Sequence, residues 1–157
     1  MSIEALEKAF KIIDENIEIA DFEGEKDEYL IKLAENMLGI TFPESYKKFL
    51  KKLGCGDIAG EEFYGIIDDN FEKSSVPNGI WLTLKQRKSQ NLPDNLLIVY
   101  GLGDGSYYAL DTAKKSQNGD CPVVKWIPGL SKKGEKLDII AVDFGEFFLK
   151  TIKEALD

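Results

Sequence analysis

Glu35-Asn36-Met37-Leu38-Gly39-Ile40-Thr41-Phe42-Pro43-Glu44-Ser45-Tyr46-Lys47-Lys48-Phe49-Leu50 contains the end of one helix, a turn and the start of another. Upstream, Tyr29, Leu30, Leu33, Ala34, Met37 and Leu38 recur at helical spacing and form one apolar stripe. Gly39 follows where a left-handed C-cap is favoured. Pro43 suits the first turn of the next helix, because its φ is already helical and a helix start has no use for the missing N–H. That helix buries Tyr46, Phe49, Leu50 and Leu53, and Gly54 and Gly56 end it. Helices this short cannot stand alone in water, so both must pack on something.

Working outward, Ile3, Leu6, Phe10, Ile13 and Ile17 predict an earlier helix with Ser2 as its N-cap. Residues 63–67 read as an edge strand, and 80–88 as a helix with Trp81 and Leu84 facing inward. Beyond them the period changes. Residues 96–100 are a short apolar run suited to a buried strand, Asp104-Gly105 is a hairpin signature, and 106–110 supply the return. Residues 122–126 add a strand with Pro122 at its start, where a ladder donor can be missing, and 139–142 another. Asp143 with Glu146 three residues later is a capping-box pattern, opening a last helix whose stripe is Phe144, Phe147, Phe148, Ile152 and Ala155. The expectation is an α+β fold: N-terminal helices packed on a mainly antiparallel β-sheet with a C-terminal helix, one domain over residues 1–157.

Composition narrows function by exclusion. With 43% hydrophobic and 11% aromatic residues among 157, the chain can bury a core. No apolar run is long enough to span a membrane, and the first residues lack a secretory pattern. Two cysteines are too few for a disulfide framework, so a cytoplasmic domain is expected. Histidine is absent, which removes Ser-His-Asp and Cys-His nucleophiles and histidine-based zinc sites. No catalytic residue, metal or cofactor is expected. The net charge of −8 argues against nucleic acid as a partner, since a binder needs cations to displace phosphate counterions.

The negative charge is uneven. Residues 1–80 hold 18 acidic and 9 basic side chains; the remainder is nearly balanced. The excess forms two runs, one over residues 14–28 and one made of Asp57, Glu61, Glu62, Asp68, Asp69 and Glu72. Each reads either as a solvated face or as a docking surface for a basic protein. The second run carries the first candidate contact set, with Phe63 or Tyr64 as apolar anchors; the first run is the second candidate surface. Glu61-Glu62 and Asp68-Asp69 do not read as catalytic pairs, because neighbours in a strand point to opposite faces. Gly101-Leu102-Gly103-Asp104-Gly105 leads into a strand instead of a helix N-terminus, so it reads as a hairpin and not as a phosphate loop. Cys55 and Cys121 read as ordinary reduced residues, and Trp81, Trp126, Tyr107 and Tyr108 as core or half-core aromatics.

Residues 35–50, with their acidic residue before Leu38-Gly39, the Phe42-Pro43 pair, Tyr46-Lys47 and Phe49-Leu50, resemble the signature of the SUKH superfamily. Later pieces agree in order: Asp104-Gly105 leading into Tyr108-Ala109-Leu110-Asp111, then Cys121-Pro122-Val123-Val124-Lys125-Trp126, then Phe144-Gly145-Glu146-Phe147-Phe148-Leu149. The resemblance runs from the second helix to the C-terminus. It implies the α+β fold already read from periodicity. It also implies a non-enzymatic immunity protein, an antitoxin that binds and neutralises a cognate polymorphic or contact-delivered toxin, often a nuclease. A eukaryotic branch, which includes a yeast regulator of cell-wall synthesis, implies the alternative of a regulatory scaffold. The matched residues have structural roles, so the resemblance specifies architecture more sharply than activity.

Overall fold

A computed structural model describes residues 2–132 and 134–157. Helix α1 (Ser2–Glu15) runs through a single 3-10 turn into strand β1 (Ala20–Phe22). Helices α2 (Glu28–Leu38) and α3 (Glu44–Lys52) follow, then strands β2 (Gly56–Ile58) and β3 (Glu61–Phe63) and helix α4 (Gly79–Gln90). Strands β4 (Leu96–Gly101), β5 (Tyr107–Asp111), β6 (Val123–Trp126) and β7 (Ile139–Ala141) precede the closing helix α5 (Phe144–Leu156). The fold is α+β as expected, with the strands divided into two antiparallel sheets, β1-β2-β3 and β4-β5-β6-β7.

The second sheet has a helix layer on each face. Leu97, Val99, Leu110 and Val123 join the main core with α1, α3 and α5, whereas Leu96, Ile98, Ala109, Val124 and Trp126 pack with Leu82 of α4. Burial on both faces is why residues 96–99 are apolar without alternation. Aromatic side chains hold the main core together: Phe49, Phe63 and Phe144 each contact Phe148 with ring centroids 5.3, 4.6 and 5.6 Å away.

Caps and turns follow the sequence closely. Gly39 ends α2 at φ 66°, in the left-handed region. Pro43 occupies the N-cap of α3, one position before the first helical residue. Asp143 accepts from the Glu146 N–H at 2.9 Å and caps α5. At the 101–105 hairpin, Asp104 Oδ1 accepts from both the N–H and the hydroxyl of Ser106.

Several expectations are corrected. Ser2 lies inside α1, and its hydroxyl accepts from the Gly145 N–H at 3.0 Å, so it serves the start of α5. Ile17 is 70% exposed, because α1 stops at Glu15 and the stripe is completed by Ala5 and Ala9. In α2 the buried face is Ile31, Ala34, Glu35 and Leu38, so Tyr29 and Met37 point outward. In α4 the buried residues are Gly79, Ile80, Leu82 and Thr83, which leaves Trp81 and Leu84 half-buried. The strand expected over 63–67 ends at Phe63; Tyr64 instead donates its N–H to Val99 O at 2.9 Å and ties the two sheets together.

Candidate protein-binding surface

The three-stranded sheet places its carboxylates by register. Asp21 pairs with Asp57, and Asp57 pairs with Glu62, so one acidic residue from each strand lies abreast across the sheet. Their neighbours Ile58 and Phe63 are fully buried on the opposite face. Like charges directly opposite on adjacent strands destabilise a sheet. Burial, and next the charge of Asp57, hold the Glu62 carboxyl above its ordinary value.

Beyond the paired strands the same three chain segments stay side by side. Glu23 N–H bonds Cys55 O at 2.8 Å, Gly24 N–H bonds Leu53 O at 2.9 Å, and Ile66 N–H bonds Gly54 O at 3.0 Å. This ribbon brings the two acidic runs together. Glu25 and Asp27 from the first run, and Asp68 and Asp69 from the second, line one surface concavity of about 430 Å³. Lys26 lies among them, donating to Ile67 O at 2.7 Å and pairing with Glu23 at 3.4 Å. Among the described residues, none of Asp21, Asp57, Glu62, Glu25, Asp27, Asp68 and Asp69 is in an ion pair.

The same concavity includes Tyr29, which is 77% exposed. Its position follows from the cap of α2, where Asp27 accepts from the Leu30 N–H at 2.8 Å and sets the helical register. Spacing alone placed this tyrosine in the core, since 29, 33 and 37 also share a face. The signal against it was Ile31, the more apolar start of the competing face 31, 34, 35 and 38.

The acidic residues read from sequence thus divide. Asp57 and Glu62 join the carboxylate row, and Asp68 and Asp69 join the Tyr29 concavity. Glu61 projects from the other side of β3, where its carboxylate accepts the hydroxyl of Tyr100. Glu72 lies apart, in a concavity with Lys73, Lys85, Lys88 and Trp81. Phe63 and Tyr64 are corrected as anchors: they are 0% and 8% exposed, and the Tyr64 ring packs under the second sheet. An extended segment that starts in the sheet and turns into the core cannot present both residues outward.

Burial pushes the Cys55 thiol up to about 12 and the Cys121 thiol up to about 11, and the two are unpaired. Among the described residues no three His, Cys, Asp or Glu side chains are arranged to hold a metal ion. What the arrangement offers is a dense row and cluster of carboxylates with Lys26 among them, and one exposed aromatic ring. A family model described as SUKH_6, SMI1-KNR4 cell-wall, matches residues 28–148. The chain belongs to the SMI1-KNR4 family. The match takes in α2 through the first part of α5, and with it Asp57, Glu62, Asp68, Asp69 and Tyr29. Asp21, Glu25 and Asp27 lie outside it, so this SMI1-KNR4 chain builds its acidic surface partly from a segment beyond the matched region. No helix among the described residues is long and apolar enough to cross a membrane.

Proposed function

We propose that this chain is an immunity protein: a non-enzymatic binder that neutralises a cognate toxin, with a basic nuclease domain as the partner it suits best. The observation that carries the reading is the row Asp21, Asp57 and Glu62, kept abreast and, among the described residues, without ion pairs. Such a row costs the free protein stability, and a cationic partner removes that cost on binding. A nuclease holds phosphates, so its cleft is basic; an acidic ribbon gives it complementary charge and a steered encounter. Tyr29 supplies the amphipathic ring that interface hot spots favour. Membership of the SMI1-KNR4 family is consistent with this role.

The test is capture of partners on tagged protein from its native cells, with elution in a salt gradient. One basic toxin domain, released at high salt, is the expected result. Asp57→Lys with Glu62→Lys, and separately Asp68→Lys with Asp69→Lys, weaken that capture and flatten its salt dependence. Unchanged affinity in both variants would sink the assignment of the surface. The family description names the cell wall, which favours a second reading as a regulatory scaffold. Recovery of envelope or signalling proteins in place of a toxin selects it.

A further inference from the structure

On the far side of β3 from the carboxylate row lies a separate cavity of about 300 Å³, lined in part by Glu61, Tyr100, Tyr108, Thr151 and Glu154. Four elements build it. Glu61 comes from β3, Tyr100 and Tyr108 are a cross-strand pair of β4 and β5, and Thr151 and Glu154 belong to the last turns of α5. The two tyrosine rings stack, with centroids 5.5 Å apart at 17°. Phe147 packs edge-on against both from the core, at 5.6 and 5.7 Å, and fixes them as a rigid wall.

The electrostatics of the cavity are one-sided. Among the described residues its lining holds two carboxylates and no lysine or arginine. The Tyr100 hydroxyl donates to Glu61 Oε2, which leaves the other Glu61 oxygen available. The Glu154 side chain is exposed and has no ion pair to another described residue. The last turn of a helix adds negative potential, because its final carbonyls have no partners in the helix. Two acceptors on different elements, beside aromatic rings, match a flat cation with several donors. A guanidinium offers several donors to such acceptors and can lie against a ring, whereas a lysine ammonium is a point charge.

We infer that this cavity receives an arginine side chain of the protein partner. The inference rests on the protein-binding reading above and adds a second, specific contact on the other side of β3. Titration with N-acetyl-arginine amide, followed through the ring resonances of Tyr100 and Tyr108, tests it. Saturable shifts confined to these rings are expected, together with weaker or absent shifts from the neutral citrulline analogue and from N-acetyl-lysine amide. Glu154→Gln, at an exposed position, weakens binding by about fivefold without loss of fold; Glu61→Gln does the same. Equal shifts from citrulline or lysine, or an arginine affinity unchanged in Glu154→Gln, overturn the assignment. The two readings fail separately. Toxin capture that is indifferent to Glu154→Gln removes the arginine pocket alone, whereas arginine binding with no basic protein captured from cells keeps the pocket and removes the toxin.

Discussion

Glu35 shows how one residue of a fold signature works. It is only 6% exposed, and its carboxylate accepts the Phe42 N–H at 2.7 Å across the turn between α2 and α3, with Lys47 at 3.8 Å. The acidic residue ahead of Leu38-Gly39 is therefore a clamp on the following segment. Glu35→Ala leaves a buried N–H without a partner and costs about 1–3 kcal/mol, while Glu35→Gln keeps an acceptor and loses less; urea unfolding reads both. Glu62 behaves in the opposite sense. Its carboxyl is raised in the folded protein, so the native state holds the proton more tightly than the unfolded chain. Its ionisation costs stability at neutral pH, and that cost is relieved as pH falls through the folded value toward the ordinary glutamate range. Glu62→Gln accordingly stabilises by about 0.2–1 kcal/mol at pH 7 and gains nothing below that range, which unfolding at a series of pH values would show. Tyr29 and Phe63 form a third contrast: Phe63→Ala costs about 3–5 kcal/mol, whereas Tyr29→Ala leaves stability within about 0.5 kcal/mol and weakens capture of the partner.

At the scale of elements, α1 and α5 meet through a contact that only glycine allows. A Cβ on Gly145 would lie 2.0 Å from the Ser2 carbonyl oxygen and 2.6 Å from its hydroxyl. The obstacle is backbone, so it cannot swing aside. Gly145→Ala is expected to cost about 1–3 kcal/mol by forcing the helices apart, with the loss read in thermal unfolding. The helices themselves were legible: their caps at Gly39 and Asp143 and the apolar spacing of 46, 49 and 50 are local signals, and each element stands where they point. The face that α2 buries was not legible, since two overlapping stripes fit one helix and only tertiary packing, against α3 and α4, selects Ile31 over Tyr29. Strands β1 and β2, three residues each, left no periodic pattern to read.

At the scale of the whole molecule, acidic residues from both runs of the first half are brought side by side along one ribbon. Screening should therefore act on the free protein and on its complex in opposite senses. Between about 0.01 and 1 M salt the Debye length falls from about 30 to about 3 Å, which relieves repulsion along the ribbon but weakens attraction to a basic partner. A rise in melting temperature together with a fall in affinity is expected over that range; a melting temperature that falls would show that the ribbon is not under repulsive load. The acidic runs, their density and the lack of histidine chemistry could be counted in the chain. So could the class of fold, because caps, turns and apolar periods depend on residues within a few positions of one another. That Asp21 stands abreast of Asp57, that Glu61 and Glu72 leave the group, and that Tyr29 rather than Phe63 or Tyr64 faces solvent were decided by tertiary structure alone. Register between β1 and β2, more than thirty residues apart, is set by what the opposite face must bury, here Ile58, and no local pattern carries that information; the Asp57–Glu62 pairing, by contrast, is set by the two-residue Ala59-Gly60 turn that joins β2 to β3.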